Sequence, residues 1–240
     1  MRRLIAYTFL SCLGFLLTSF TGLRRETGGV YSVSFTSNLR TTHDHLISVR
    51  ASLLYDEMNL KDLGLSDKAF TYAYKGYQHL LDKKLISQPG YLTICDFSQS
   101  AKQKRLYIID MAKDTVLMNT YVAHGHNSGG EYATRFSNRP RSKQSSLGFY
   151  ITTSTYMGEH GLSLRMEGLE PGFNDKAYRR GIVVHGANYI GGGHIGRSFG
   201  CPAVPKKESK AIINMIKDGS CLFIYNPQKK YIDKSKILND

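Results

Sequence analysis

The sequence contains no tryptophan, and it has only 4 cysteines and 6 prolines among its 240 residues. Four cysteines are too few for a disulfide framework in a chain of this length, and none of them forms the C-x-x-C pair of a zinc ribbon. Hydrophobic residues make up 41% of the chain, which is enough to bury a core without covalent cross-links. Any chemistry from cysteine must therefore come from individual residues.

Acidic residues are also scarce: 19 Asp and Glu stand against 32 Lys and Arg, which leaves a net charge of +13. A basic surface favours anionic partners such as nucleic acid, phospholipid or acidic wall polymers. The sequence has no zinc-finger spacing, no RNP-like aromatic motif and no basic recognition helix. We therefore expect no nucleic-acid partner, and solubility alone is the simplest explanation of the charge.

The amino terminus has the pattern of an export signal. Arg2 and Arg3 precede an uncharged apolar run at residues 4–17, and the small and polar run TSFTG follows it. The apolar run is shorter than the roughly 20 residues of a membrane span. We predict an export signal or N-terminal anchor at residues 1–22, and hence a protein of the periplasm or cell envelope. Membrane attachment follows only if this segment stays uncleaved.

A helical region is predicted after this segment, at residues 23–88. Apolar side chains recur at three- and four-residue steps at Leu46, Val49, Leu53 and Leu54, which is typical of an amphipathic helix. A second helical pattern begins after Ser66-Asp67, a typical N-cap sequence. Two helices are therefore expected before Pro89-Gly90 ends the region.

The remaining sequence predicts a mainly β domain at residues 89–226. Short apolar runs separated by turn residues indicate strands, and one helix is expected at about residues 206–218. Residues 227–240 are predicted to be a C-terminal tail. The fold class is therefore α+β, with a mainly β domain and a helical N-terminal extension.

The stretch GIVVHGANYIGGGHIGRSFGCPAVP, residues 181–205, carries the strongest chemical signal. An apolar strand ends at His185, and Cys201 follows in a Gly-Cys-Pro loop. The proline biases Cys201 away from helical geometry, and Gly200 allows the backbone to approach a bound group closely. A thiol in such a loop, with a histidine in reach to take its proton, favours nucleophilic catalysis.

Two other interpretations of these residues stay open at this point. Cys201 could be a buried or disulfide-bonded cysteine, with His185 only capping a strand. Alternatively, His185, His194 and Cys201 could bind a metal, although their spacing is not that of a zinc module.

Together with other blocks, this stretch resembles the murein L,D-transpeptidase catalytic domain family of YkuD-like cysteine transpeptidases. The similarity covers about residues 66–226 and includes the blocks DFSQSAKQKRLYIID, VAHGHNSGG, FSNRP, SSLGFYIT, GLEPGFNDKAYRRGIVVHGA and RSFGCPAVP. Several ordered blocks are more specific than a single histidine and cysteine. The resemblance implies a β-rich YkuD-like catalytic domain that requires no metal and no organic cofactor.

The resemblance also implies a mechanism and its residues. Cys201 would attack the third-residue carbonyl of a peptidoglycan stem tetrapeptide, release D-alanine and form a thioester, which an amine of a second stem would resolve as a 3–3 crosslink. His185 would act as general base and acid, and the Gly186 carbonyl would fix its tautomer. Backbone N–H groups of Phe199, Gly200 and Cys201 would form the oxyanion hole.

The sequence departs from the wider YkuD pattern at two positions. Phe199 stands where a histidine usually precedes the Gly-Cys pair, and Ala203 stands where Arg or Asn usually follows it. We expect Arg197 to hold a substrate carboxylate or shape the loop, Ser198 to contact substrate or orient the loop, and Tyr156 to border the substrate groove.

The other histidines and cysteines are expected to be mainly structural. His124 ends an apolar strand, and His160 lies in a Gly-containing segment that could border the groove. Cys95 and Cys221 lie in predicted strands, where two buried thiols are favoured over a disulfide.

The sequence thus predicts an exported cysteine-dependent L,D-transpeptidase, an acyltransferase of peptidoglycan stem peptides. One alternative is an L,D-carboxypeptidase of the same fold, in which water resolves the thioester. The other is a non-catalytic wall-binding domain. The sequence does not indicate an oligomeric state.

Overall fold

The computed structural model describes residues 35–190 and 197–239. The export segment predicted at residues 1–22 and the candidate metal ligand His194 lie outside the described residues. Among the helices described, none is long and apolar enough to cross a membrane. The helices and strands are α1 (Phe35–Glu57), α2 (Asp67–Asp82), β1 (Tyr91–Asp96), β2 (Leu106–Asp110), β3 (Thr115–Thr120), β4 (Gly148–Gly158), β5 (Gly161–Gly168), β6 (Val183–Ala187), β7 (Ala203–Pro205), α3 (Lys206–Ile216), β8 (Cys221–Tyr225), α4 (Lys229–Lys234) and α5 (Lys236–Asn239).

The eight strands of the described residues form one mixed sheet in the order β3-β2-β1-β8-β4-β5-β6-β7. Neighbouring strands are antiparallel, except that β1–β8 and β6–β7 are parallel. Beyond the end of β3, Ala123 forms an isolated bridge with Ala203 of β7, at the opposite edge of the sheet. This bridge joins the two edges, and the sheet curls into a barrel-like domain. The prediction of a mainly β domain preceded by helices is confirmed.

Helix α2 packs on the middle of this sheet. Ser66 caps its N terminus, as predicted, because its hydroxyl accepts a hydrogen bond from the Ala69 N–H at 3.3 Å. The helix contacts β1 and β8, and at Gly76 it lies so close to the Phe149 ring that a Cβ would clash. Helix α2 therefore completes the core of the β domain and is not a separate extension.

Helix α1 is also present, but of the four apolar residues that the pattern named only Leu54 is buried. Leu46 and Leu53 are 60% and 57% exposed, whereas Ala51, Leu54 and Met58 are buried. Both sets recur at three- and four-residue steps, so spacing alone could not decide which stripe meets the core. The position of the sheet decides it.

Within the predicted C-terminal tail at residues 227–240, the structure has the two helices α4 and α5. Tyr231 donates a hydrogen bond to the Glu170 carboxylate at 2.9 Å, and the Ser235 hydroxyl donates to the other oxygen of the same carboxylate. Glu170 is buried. It precedes these helices by about 60 residues in sequence. The segment is therefore fixed by a partner that local sequence does not reveal.

Cys95 and Cys221 are buried free thiols, the arrangement that the sequence favoured. In the parallel pair β1–β8, Cys221 lies opposite Leu92 and Cys95 lies opposite Ile224. The two cysteines are thus three residue steps apart along the strands, or roughly 10 Å at about 3.3 Å per residue. This separation excludes a disulfide between them.

Candidate active site

Cys201 lies in the loop that leads into β7, at the wall of a cleft of about 650 Å³. Its thiol is half-buried and donates a hydrogen bond to the Gly181 carbonyl at a sulfur–oxygen distance of 3.7 Å. His185 lines the same cleft, so the structure brings the predicted nucleophile and base together. The cleft is also lined by Tyr156, His160, Arg180, Tyr189, Arg197 and Phe199.

Ser198 holds the loop that carries Cys201. Its N–H donates to the His124 carbonyl at 2.9 Å, and its carbonyl accepts from the His126 N–H at 2.6 Å. Its hydroxyl accepts from the Gly200 N–H at 3.1 Å and donates to the Cys201 carbonyl at 2.5 Å. Ser198 is only 4% exposed but is among the residues that line the cleft. Its hydroxyl orients the loop, and its predicted contact with substrate stays a prediction.

Gly200 has a backbone conformation that side chains rarely adopt. Its φ is +125°, and a Cβ at this position would lie 2.8 Å from the Gln144 carbonyl oxygen. Its own carbonyl accepts a hydrogen bond from the Ser145 hydroxyl at 3.1 Å. Close packing against residues 144 and 145 thus fixes the direction in which the chain enters Cys201.

These contacts reduce the predicted oxyanion hole. The Gly200 N–H already donates to the Ser198 hydroxyl, so it is not a free donor, contrary to the prediction. Within the described part of the chain, the N–H groups of Phe199 and Cys201 donate to no backbone carbonyl outside the helices and strands, and the Cys201 N–H lies beside its own sulfur. The Phe199 ring is 72% exposed and lies 4.7 Å from the Lys143 ammonium, which leaves its backbone N–H as the group available to the site.

His185 lies in the middle of β6, between β5 and β7. It pairs with Ser163 on one side and with Ala203 on the other. Its Nδ1 lies 3.2 Å from the Gly186 carbonyl oxygen, a contact that holds the proton on Nδ1 and leaves Nε2 as the basic nitrogen. A Cβ on Gly186 would lie 2.5 Å from the Ser209 hydroxyl oxygen, so a side chain at position 186 would disturb this contact.

Burial favours the neutral forms of both the Cys201 thiol and the His185 imidazole. Burial raises the pKa of Cys201, and this effect is opposed by a hydrogen bond from the Val183 backbone and by the charge of Arg180. Burial lowers the pKa of His185, the hydrogen bond with the Gly186 backbone opposes this shift, and the nearby His160 and Lys206 add to it. Both shifts favour a thiol beside a free imidazole over a thiolate–imidazolium pair.

His160 is closer to the chemistry than the sequence suggested. Its ring stacks on the His185 ring, with 4.2 Å between centroids and 19° between planes. Lys206 donates a hydrogen bond to the His160 carbonyl. The stacked ring restricts the orientation of His185 and covers one of its faces.

Arg197 and Tyr156 both line the cleft, and their contacts with substrate stay predictions. Arg197 is exposed, and none of the ion pairs among the described residues includes it. The Tyr156 ring carries the Arg165 guanidinium at 4.3 Å from its centroid. Cations and aromatic rings on this wall suit a ligand that carries a carboxylate.

Sequence reasoning missed Arg180. The residue lies within the block DKAYRRG, but two adjacent arginines give no sign of which one faces the catalytic loop. In the structure Arg179 is exposed, whereas Arg180 is half-buried and lines the cleft. The difference depends on which side of the turn before β6 meets residues 137–146.

His124 supports the site from behind and does not line the cleft. It is fully buried, and its Nδ1 lies 2.8 Å from Nη2 of the buried Arg105. Burial and the charge of Arg105 lower the pKa of His124 to about 4. These contacts agree with the structural role that the sequence favoured.

Among residues 35–190 and 197–239, no three His, Cys, Asp or Glu side chains are grouped as metal ligands would be. The metal alternative included His194, which lies outside the described residues. The site as described therefore consists of a thiol, two stacked imidazoles and the cations of the cleft wall.

The family model YkuD_2, described as L,D-transpeptidase catalytic domain, matches residues 61–225. No curated protein matches the chain. Among solved structures, an L,D-transpeptidase from Mycobacterium smegmatis is similar at 12% identity and a TM-score of 0.38, over 57% of this chain and 59% of that chain.

An L,D-transpeptidase from Stackebrandtia nassauensis is similar at 16% identity and a TM-score of 0.34, over 68% of each chain. L,D-transpeptidase 3 from Mycobacterium tuberculosis is similar at 12% identity and a TM-score of 0.36, over 57% of this chain and 61% of that chain. This chain thus spans less than two thirds of the length of two of these three structures.

Proposed function

Because the chain belongs to the YkuD_2 family of L,D-transpeptidase catalytic domains, we propose that it is a peptidoglycan L,D-transpeptidase with Cys201 as its nucleophile. The observation that carries this proposal is the shared cleft of the Cys201 thiol and the His185 imidazole. The Nδ1 contact of His185 with Gly186 supports the role of Nε2 as the base. The thiol donates to Gly181 at rest, so it must turn toward His185 when substrate binds.

The first step is acylation of Cys201. Nε2 of His185 takes the thiol proton as the sulfur attacks the third-residue carbonyl carbon of a stem tetrapeptide. The carbonyl π electrons move to oxygen, where the N–H groups of Phe199 and Cys201 stabilise the negative charge. The C–N bond then breaks, its electron pair stays on nitrogen, and the imidazolium protonates that nitrogen. D-alanine leaves and a thioester remains on Cys201.

The second step transfers the acyl group to an amine of another stem. The amine nitrogen attacks the thioester carbon, His185 takes a proton from that nitrogen, and the C–S bond breaks with its electron pair on sulfur. The proton on His185 then returns to the sulfur. The product is a 3–3 crosslink, and the enzyme is restored with no net oxidation or reduction. Arg197, on the exposed wall of the cleft, is placed to hold a stem carboxylate.

Muropeptides test the proposal. Purified protein is incubated with tetrapeptide-bearing muropeptides, and the products are analysed by mass spectrometry, with Cys201→Ala as the inactive control. We expect free D-alanine and crosslinked dimers with the wild-type protein. Release of D-alanine without dimers identifies the L,D-carboxypeptidase alternative, in which water replaces the amine. Equal product formation by Cys201→Ala would refute the role of the thiol.

A β-lactam of the carbapenem type separates an enzyme from a non-catalytic wall-binding domain. Acylation of an activated thiol adds the mass of the drug to the protein, and peptide mapping assigns the adduct to a residue. We expect the adduct on Cys201 and none on Cys95 or Cys221. A folded protein that binds peptidoglycan but forms no adduct would favour the wall-binding alternative.

We also propose that the protein is exported and works in the periplasm or cell envelope. The basic start and the uncharged run at residues 4–17 support this location. The protein recovered from the envelope fraction should have lost about residues 1–22 by intact mass, or should retain them if the segment is an anchor. Recovery from the cytoplasmic fraction alone would contradict the proposal.

A further inference from the structure

Arg180 is a half-buried cation that no carboxylate neutralises. Its Nη1 donates to the Ser137 carbonyl at 2.8 Å and to the Ser146 hydroxyl at 2.5 Å. Its Nη2 donates to the Gln144 carbonyl at 2.7 Å and to the Ser142 hydroxyl at 3.1 Å. All four acceptors are neutral, and no ion pair within the described ranges includes Arg180. Its Nε is buried without a partner.

Two separate segments of the chain bring the Arg180 guanidinium close to the Cys201 thiol. Gly181, the residue after Arg180, accepts the hydrogen bond of the thiol. Nη2 of Arg180 lies 3.4 Å from the position that a Cβ on Gly200 would take. Arg180 and Cys201 also line the same cleft.

Arg180 supports the catalytic loop mechanically as well. The Gln144 carbonyl that accepts from Nη2 is the same group that lies against Gly200. Ser145, the next residue, donates to the Gly200 carbonyl. The guanidinium therefore links residues 137–146 to one another by hydrogen bonds. It does so on the side of this segment that contacts the loop carrying Cys201.

The unbalanced charge has a consequence for the chemistry. A buried charge without an opposite charge costs free energy, and a neighbouring group that becomes negative recovers part of that cost. The Cys201 sulfur becomes negative when it loses its proton, at a place where few water molecules can screen it. Arg197, by contrast, is exposed to solvent, so its charge acts on the sulfur only weakly.

We propose that Arg180 is a positioning residue for the catalytic loop and that its guanidinium stabilises the Cys201 thiolate, both as His185 removes the proton and as the sulfur leaves the acyl group. This inference rests on the proposed function, in which Cys201 is the nucleophile. In this role the arginine acts through the electrostatic potential at the sulfur and through the shape of the loop.

Alkylation of Cys201 by iodoacetamide across a range of pH tests the electrostatic role. Arg180→Gln removes the charge, and Arg179→Gln removes the same charge from the adjacent exposed arginine as a matched control. We expect the thiol pKa to rise by about one unit in Arg180→Gln, which slows alkylation about tenfold at a fixed lower pH. Arg179→Gln should follow the wild-type profile. Identical profiles for the two glutamine variants would overturn the proposal.

Arg180→Lys separates charge from hydrogen bonding and also serves if Arg180→Gln does not fold. Lysine keeps the positive charge but has one nitrogen in place of the guanidinium fork. We expect a lower melting temperature than that of the wild type, with a pH profile of alkylation close to the wild-type profile. A folded lysine variant whose thiol pKa rises by a full unit would overturn the electrostatic role.

Alkylation requires no wall substrate, so its outcome is independent of the muropeptide assay. Failure to process muropeptides, together with the expected alkylation shift, would refute the proposed function and leave the role of Arg180 in place. Normal muropeptide processing with unshifted alkylation would refute the role of Arg180 alone.

Discussion

The cysteines of the described residues occupy two kinds of site. Cys95 and Cys221 lie in the adjacent strands β1 and β8, and burial raises the pKa of Cys95 to about 12 and that of Cys221 further still. Burial also raises the pKa of Cys201, but the Val183 backbone and the charge of Arg180 oppose it. The polar groups around a cysteine thus decide how far burial can raise the pKa of its thiol.

The backbone explains why these polar groups occur at one site only. The strands β1 and β8 use their N–H groups in the ladder with each other and with their other neighbours. The loop before Cys201 is held instead by the side chain of Ser198 and by two contacts of its backbone with His124 and His126. In this arrangement the Cys201 N–H lies beside the thiol.

The largest expected difference between the two kinds of site is in activity. Cys201→Ala should reduce muropeptide turnover by at least about 10³-fold, because the nucleophile is lost. Cys95→Ala should retain activity and lower the free energy of unfolding by about 1 kcal/mol, since it leaves a small cavity in the core. Kinetics and denaturant titration measure the two effects. Comparable loss of activity in both folded variants would remove the distinction.

His185→Gln should lower kcat/KM for muropeptide by about 10²-fold or more, because glutamine cannot take the thiol proton. His126→Gln is the matched control, since the His126 side chain is exposed and its contact with Ser198 is made by its backbone. Steady-state kinetics on both variants give the comparison. A His185→Gln enzyme as active as the control would show that another group is the base.

Gly200→Ala tests how far the loop geometry controls the thiol. A side chain at φ +125° and against the Gln144 carbonyl should cost about 1–3 kcal/mol of stability and misdirect Cys201. Gly172→Ala is the control, because its φ is +82° but no atom lies within 4 Å of the added Cβ. Thermal unfolding and carbapenem acylation measure the difference. Equal acylation rates would mean that the clash does not reach Cys201.

The smallest expected difference between the two kinds of site is in the pH dependence of thiol labelling. The labelling rate should change about tenfold per pH unit. Because the pKa of Cys201 is raised, the neutral thiol predominates below it and alkylation accelerates as pH increases toward it. The pKa of His185 is lowered, so no thiolate–imidazolium pair sustains labelling in acid. Mass spectrometry should find Cys95 and Cys221 labelled only after unfolding. A rate plateau below about pH 7 would contradict a neutral resting pair.

Local patterns predicted the parts of the fold whose causes are local. Ser66 was recognisable as an N-cap, because a cap depends on neighbours a few residues away. The helices α4 and α5 were not recognisable, since the Glu170 carboxylate that binds them is about 60 residues distant in sequence. The prediction of which α1 residues are buried failed for the same reason. The apolar stripes of α1 cannot be ranked until the position of the sheet is known.

The sequence by itself determined the candidate nucleophile and base, since the blocks around His185 and Cys201 are continuous in the chain and specific to one family. Only the tertiary structure decided what surrounds them. It assigned the Ser198 hydroxyl and the Gly200 N–H to the loop itself, stacked His160 on His185, and selected Arg180 over Arg179 as the cation beside the thiol. These choices depend on segments brought together by the curled sheet, and their distances and burial set the protonation of the site.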